Sequence, residues 1–309
     1  MNQPIDIAIF GHILIERILF PNRELFPVLG SPAAYSSVCL GRLGANVGLV
    51  TKIGEDFPDA LLETFDESSV DTQGISHCSS STRNELIYNN KGEKRLIFLS
   101  KADPILATDF PDAYQDAKLL YICPIDNEIS RDTLVELSKK NIPMVADLGG
   151  YGGGTSADPP VEKSGNSIHD LCPMFSVVKA SLEDLRHIFG SDINERKAGE
   201  LIIDWGAGAC VVTLGEEGSY IDSGTRKSYI PPFSSTIKNI VDQTGAGDCF
   251  SAGLLFSLLH TDDVHMAAMK GTATTSYVIE RTGGVTASRM PDRTEMERRA
   301  AVLSSSISG

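Results

Sequence analysis

The chain has 309 residues, 41% of them hydrophobic and 22% charged, the balance of an ordinary globular protein with no compositional case for disorder. A formal net charge of −14 sets it against nucleic acid and anionic membrane surfaces as partners. Any anionic ligand must then be met locally, by Mg²⁺, a few cationic side chains or backbone amides.

The length suits one α/β domain over residues 1–309 with a modest attachment. Six cysteines (Cys39, Cys78, Cys123, Cys172, Cys210 and Cys249) are scattered without a CxxC pair, and no histidine cluster has metal-ligand spacing, so most cysteines are expected as small buried hydrophobes. The opening MNQPIDIAIFG has no basic stretch and too short an apolar run for a signal peptide or membrane span, which makes the cytoplasm the expected location.

In chain order, Ile5 to Gly11 is a short apolar run closed by glycine, and Val47 to Gly54 repeats that shape after a predicted helix from Pro32 to Leu43. Further apolar runs stand at Leu119 to Cys123, Met144 to Ala146, Ser176 to Lys179 and Ala209 to Thr213, most separated by helical periodicity such as Arg131 to Lys140. The alternation predicts a mostly parallel central sheet with helices on both faces. Two stretches interrupt it. Arg83 to Tyr88 and Lys94 to Leu99 flank the turn-forming NNKGE and predict an antiparallel hairpin, either a lid inserted at about residues 80–100 or an edge of the main sheet. Gly149 to Asn166, rich in Gly, Pro and Ser, predicts a long loop, poorly ordered or close to a ligand.

The strongest local feature is DQTGAGDCFSAGLLFSLLH, Asp242 to His260. Gly245, Ala246 and Gly247 open a stretch with helical periodicity, so their backbone N–H groups fall at a helix N-terminus, where anions bind. Small residues let a phosphate approach those amides. Asp248 follows in the first turn, placed to take a proton from an attacking hydroxyl while the amides stabilise a transferring phosphoryl group. A tight turn with a dipole-favoured Asp is the plainer alternative.

This segment resembles the DTxGAGD signature of the phosphofructokinase-B, or ribokinase-like, family, with Gln243 at the usual Thr. The resemblance implies an anion hole at Gly245, Ala246 and Gly247 and a catalytic base at Asp248. Thr213, Gly215 and Gly218 in VVTLGEEGSY are similar to the family's nucleotide-binding strand end and glycine turn. In VVKASLEDL, Lys179 either neutralises phosphate charge or is simply solvated, while Ser181 and Asp184 stand where the family has Asn and Glu near the phosphates and hydrated Mg²⁺. Capping of a helix explains Ser181 equally well. Glu16 in GHILIE takes the place of a family Asp that holds substrate hydroxyls, and Gly30, Ser31 and Tyr35 fall in the paired-glycine region, Tyr35 replacing an Asn.

The likeness runs from about Ile5 to about Pro291, with the hairpin where the family carries its lid. No GxxxxGK[ST] loop, HRD or DFG set, or GxGxxG after the first strand supports another nucleotide-using architecture. The resemblance implies ATP with Mg²⁺, a monovalent cation such as K⁺ near Asp242, a small-molecule alcohol as acceptor and a homodimer through the lid. The acceptor expected is a sugar or polyol. Tyr35 also suits a nucleoside, by stacking, or core packing of its own helix. A nucleotide-binding regulatory protein without turnover is the reading from another class. His12 is the histidine nearest the expected pocket.

Overall fold

The computed structural model describes residues 4–90, 94–153, 168–233 and 240–308. Among these residues, nine strands form one sheet: β1 (Ile7–Phe10), β4 (Val47–Gly54), β5 (Val70–Cys78), β8 (Leu119–Ile122), β9 (Met144–Asp147), β10 (Val177–Ser181), β11 (Cys210–Thr213), β12 (Ser219–Asp222) and β13 (Lys227–Ile230). Their order across the sheet is β13-β12-β11-β10-β9-β8-β1-β4-β5, parallel except where β12 pairs antiparallel with β11 and β13. The helices are α1 (Pro32–Leu43), α2 (Asp59–Glu67), α3 (Arg131–Ser138), α4 (Ile168–Leu171), α5 (Leu182–Phe189), α6 (Glu195–Asp204), α7 (Ala246–Leu258), α8 (Val264–Val278) and α9 (Arg293–Ser308).

Strand alternation sends successive side chains to opposite faces and so makes two cores. Ile7, Ile9, Val47 and Tyr121 pack with α1, α7, α8 and α9, whereas Ala8, Phe10, Leu120 and Ile122 pack with α3, α5 and α6. Helices therefore cover both faces, as the alternating pattern predicts. At about 1.5–3 kcal/mol for each fully buried Val, Leu, Ile or Phe, these layers are the main source of stability. Five of the six cysteines are buried.

Four strands form a second sheet in the order β3-β2-β6-β7, from β2 (Leu14–Phe20), β3 (Arg23–Gly30), β6 (Thr82–Tyr88) and β7 (Lys94–Ser100). The predicted hairpin is the β6–β7 pair, and it lies in this smaller sheet rather than at an edge of the large one. Residues 91–93 of its turn lie outside the described residues, as do 154–166 of the predicted long loop. The β2–β3 hairpin was not foreseen beyond the first residues of β2. Its pairing shifts register between Glu16 and Ile18, a local irregularity of the kind that re-aims a side chain.

Among the described residues, no helix is long and apolar enough to cross a membrane.

Candidate active site

Parallel α/β sheets bind ligands beyond the carboxyl ends of their strands, near the point where strand order reverses. Here β1 lies between β4 and β8, and its carboxyl end leads through Gly11 and His12 into the small sheet. The predicted phosphate turn meets this edge from α7.

Gly245 caps α7 in the left-handed region, with φ of 74°. A Cβ there would run into the ring of Tyr35, so the turn requires glycine for space as well as for φ. The first intrahelical bond runs from the Cys249 N–H to the Gly245 carbonyl at 2.9 Å, which puts Ala246, Gly247 and Asp248 in the first turn of α7. The Ala246 N–H donates to the Gln243 carbonyl at 3.1 Å. Of the three residues expected to form the anion hole, Ala246 thus spends its amide on closing the turn. Gly247 keeps the approach open, and Asp248 sits half-buried in the first turn. Ser36 of α1 donates to the Asp248 carbonyl at 3.1 Å, and Thr275 of α8 donates to that of Ala246 at 2.9 Å, fixing the turn from two sides.

Lys179 reaches this turn from the neighbouring strand. A Cβ added at Gly247 would stand 3.3 Å from its Nζ. The ammonium is buried and donates to Asp147 Oδ2 at 2.7 Å. Burial works against its charge, but Asp147 and then Asp248 outweigh that and hold its pKa above the ordinary lysine value. Lys179 is therefore a fixed cation, paired with Asp147 and felt by Asp248. Asp147 was not singled out from the sequence, although an acid closing a buried strand before Gly149 and Gly150 is a visible signal.

Of the residues expected to receive the nucleotide, Ser181 and Thr213 are register partners at the ends of β10 and β11. Gly215 and Gly218, with φ of 60° and 93°, turn the chain back into β12, and a Cβ at Gly218 would meet the Ile230 carbonyl. Ser181 caps α5: its Oγ accepts from the Asp184 N–H at 3.0 Å, while the Asp184 carboxylate accepts from the Ser181 N–H at 3.1 Å. This reciprocal capping box occupies the Ser181 hydroxyl and one oxygen of Asp184.

Of the residues expected to hold the acceptor, Glu16 of β2 is buried and its Oε1 accepts from Asn84 Nδ2 of β6 at 3.0 Å. Asn84 Oδ1 is buried with no hydrogen-bond partner among the described residues. Gly30 makes room for Glu16, since a Cβ there would stand 3.0 Å from Oε2, and Ser31 caps α1 by accepting from the Ala34 N–H. Tyr35 is only 3% exposed, its ring under Gly245 and its hydroxyl 3.5 Å from Arg289 Nη1. Burial lifts that hydroxyl's pKa well above its ordinary value; Arg289 opposes the rise, and Glu16, Cys249 and Asp248 add to it. Tyr35 is thus packed behind the phosphate turn rather than offering a ring face to a ligand. His12 is buried as well, with Nε2 at 3.0 Å from the Asp103 carbonyl and Nδ1 at 3.0 Å from Thr82 Oγ1. Between the two sheets opens a cavity of about 130 Å³ lined in part by His12, Thr82, Phe98, Lys101, Asp126 and Glu128.

A glycine-containing helix-start turn, a carboxylate and a buried ammonium at one sheet edge suit phosphoryl transfer to a small molecule. That is the class of enzyme the fold and the site define. The chain belongs to the pfkB family of carbohydrate kinases, whose family model matches residues 29–292. Among curated proteins, it is 27% identical to a cytidine kinase from Thermococcus kodakarensis over 253 residues, covering 81% of this chain and 87% of that one. It is 26% identical to a fructokinase from Escherichia coli over 310 residues, covering 94% and 98%. The fold superimposes on an Arabidopsis thaliana ribokinase complexed with ribose and ATP with a TM-score of 0.77, the sequences being 16% identical over 96% of this chain and 99% of that one.

Proposed function

We propose that this kinase transfers the γ-phosphoryl group of ATP to a hydroxyl of a sugar or polyol, with Asp248 as general base. The observation that carries the reading is the grouping of Asp248, the Gly245–Gly247 turn and the Lys179 ammonium at the start of α7. Lys179 and the first-turn amides counter the charge that builds on the moving phosphoryl group, and Asp248 takes the proton of the attacking alcohol. Thr213, Gly215 and Gly218 would receive the nucleotide. Magnesium would enter with the phosphates and its waters, Asp184 acting through water at most, since the capping box already engages one of its oxygens.

The small sheet is the lid in this reading. Its Tyr88 hydroxyl lies 3.3 Å from Thr244 Oγ1, next to the phosphate turn, so the two parts already touch where a substrate would be enclosed. Glu16 and the unsatisfied Asn84 carbonyl oxygen offer acceptors to hydroxyl groups, which favours a polyhydroxylated acceptor. The likeness to the cytidine kinase favours a nucleoside as the second reading, its ribose supplying the same hydroxyls. Exposed Leu25, Phe26 and Leu99 on the lid give a second copy of the chain an apolar surface to cover, so light scattering should report a dimer.

The test is phosphoryl transfer from Mg·ATP across sugars, polyols and nucleosides, run beside Asp248→Asn. The variant should bind ATP as the wild type does and lose about 10²- to 10⁴-fold in transfer rate. Equal rates in the two proteins would remove Asp248 from the chemistry. No transfer to any acceptor would count against the kinase reading itself.

A further inference from the structure

Arg289 stands in the loop before α9, outside every motif discussed above, yet it is only 2% exposed and is the largest fully buried side chain among the described residues. A guanidinium carries five N–H donors and keeps its charge at any working pH. Each nitrogen here has a partner: Nε donates to the Arg281 carbonyl at 3.1 Å, Nη1 to the Gly283 carbonyl and toward the Tyr35 hydroxyl, and Nη2 to the Asp242 carbonyl at 3.0 Å. Nη2 also lies 3.6 Å from Asp242 Oδ2. Three carbonyl oxygens and a carboxylate that converge on one point form the oxygen cage of a cation. The cage encloses a guanidinium.

The cage lies directly behind the phosphate turn. Asp242 Oδ1 accepts from the Thr244 N–H at 2.9 Å, its Oδ2 from the Gly283 N–H at 3.4 Å, and Gly245 follows at once, resting on Tyr35. A positive charge at Arg289 therefore holds the 242–245 segment and the 281–283 loop in one arrangement.

We propose that Arg289 is a built-in replacement for a monovalent cation, a positioning residue that holds the phosphate turn and makes this kinase independent of K⁺. A free ion at Asp242 would have to share oxygens already committed to the guanidinium, and two cations within one hydrogen-bonded shell repel each other. The proposal rests on the kinase reading for its rate measurement but not for its binding measurement. It takes the place of the K⁺ expected at Asp242.

The experiment compares KCl with tetramethylammonium chloride at equal ionic strength, for wild type and for Arg289→Ser. Two readouts are followed: transfer rate from Mg·ATP and the thermal unfolding midpoint without substrates. The wild type should respond to potassium in neither. The variant should lose about 100-fold in kcat as the turn shifts, with a smaller change in acceptor KM. Potassium should then restore part of the rate and raise the variant's midpoint. Severalfold activation of the wild type by potassium would overturn the proposal, and that titration decides alone if the variant does not fold. A folded variant indifferent to potassium in both readouts would also overturn it. A protein with no transfer activity would instead defeat the kinase reading, while the midpoints still test Arg289.

Discussion

The proposed donor and acceptor ends of the site are made of different material. At the donor end the phosphate turn is backbone, seven consecutive residues from Asp242 to Asp248, held by Ser36, Thr275, Tyr35 and Arg289. At the acceptor end the polar groups are side chains delivered by separate strands, Glu16 from β2 and Asn84 from β6. A backbone site tolerates little change of shape but is indifferent to much side-chain identity. A side-chain site can be retuned one residue at a time, which is how relatives of one fold come to phosphorylate different alcohols. Disturbing the first should therefore cost rate with any acceptor, and disturbing the second should cost acceptor recognition alone.

Gly245→Ala should give the largest effect of the substitutions that separate these two ends. A left-handed conformation costs a residue with a Cβ about 1–2 kcal/mol, and the added carbon also meets the Tyr35 ring. The turn must move, and a displacement on the order of 1 Å costs about 100-fold in rate. Steady-state kinetics with two unlike acceptors should show the same proportional fall in kcat for both, together with a lower unfolding midpoint. A loss confined to one acceptor would erase the distinction between the ends.

The same contrast explains what was legible in the sequence. The phosphate turn needs small residues in succession followed by a helix, a requirement written within a few positions, and its residues fall at the start of α7 as their pattern predicts. The helix Pro32–Leu43 and strand Val47–Gly54 were legible to the residue, because Pro32 and Gly44 bracket one and a continuous apolar run marks the other. Strand β3 was not, for most of its residues are exposed and Pro27 interrupts them, so no buried alternation marks it. Asn84 meets Glu16 across 68 residues of chain, and Arg289 meets Asp242 across 47. Contacts of that kind leave no local pattern, and a lone Arg in a loop reads as solvated surface until the fold closes around it.

At the acceptor end the expected effects are smaller and confined. Glu16→Gln keeps the shape and removes the charge, so a hydrogen bond to a charged group worth about 1.5–3 kcal/mol weakens, on the order of 10- to 100-fold in acceptor kcat/KM. Asn84→Ala removes a neutral partner of Glu16 and should cost about 1 kcal/mol, several-fold in the same constant. In neither variant should the KM for ATP change appreciably. An equal rise in both KM values would mean that Glu16 supports the whole cleft rather than the acceptor.

The smallest effect belongs to the joint between the sheets. Asp56, in the loop after β4, accepts from the Ser81 N–H at 2.9 Å, the Ser81 hydroxyl at 2.8 Å and Arg83 Nε at 2.9 Å, which ties the start of β6 to the large sheet. Burial pushes its pKa up, but the Ser81 and Arg83 bonds together hold it below the ordinary value of 3.8. A carboxylate with a depressed folded pKa contributes stability that is complete above the unfolded value and is lost as pH falls through the folded one. Because the group is about one-third exposed, water and salt screen it, and the contribution should stay under about 1 kcal/mol. Unfolding midpoints of wild type and Asp56→Asn should therefore differ by a constant amount above about pH 5 and draw together as pH falls from about 4 through the lower folded value. The variant's acceptor KM should rise only about twofold, because the bonds lost are those of a partly exposed ion pair. Ser81 leads into the strand on which Arg83 precedes Asn84, so a loosened joint reaches the acceptor through Asn84, whereas the phosphate turn, anchored from α1, α8 and Arg289, should keep its rate.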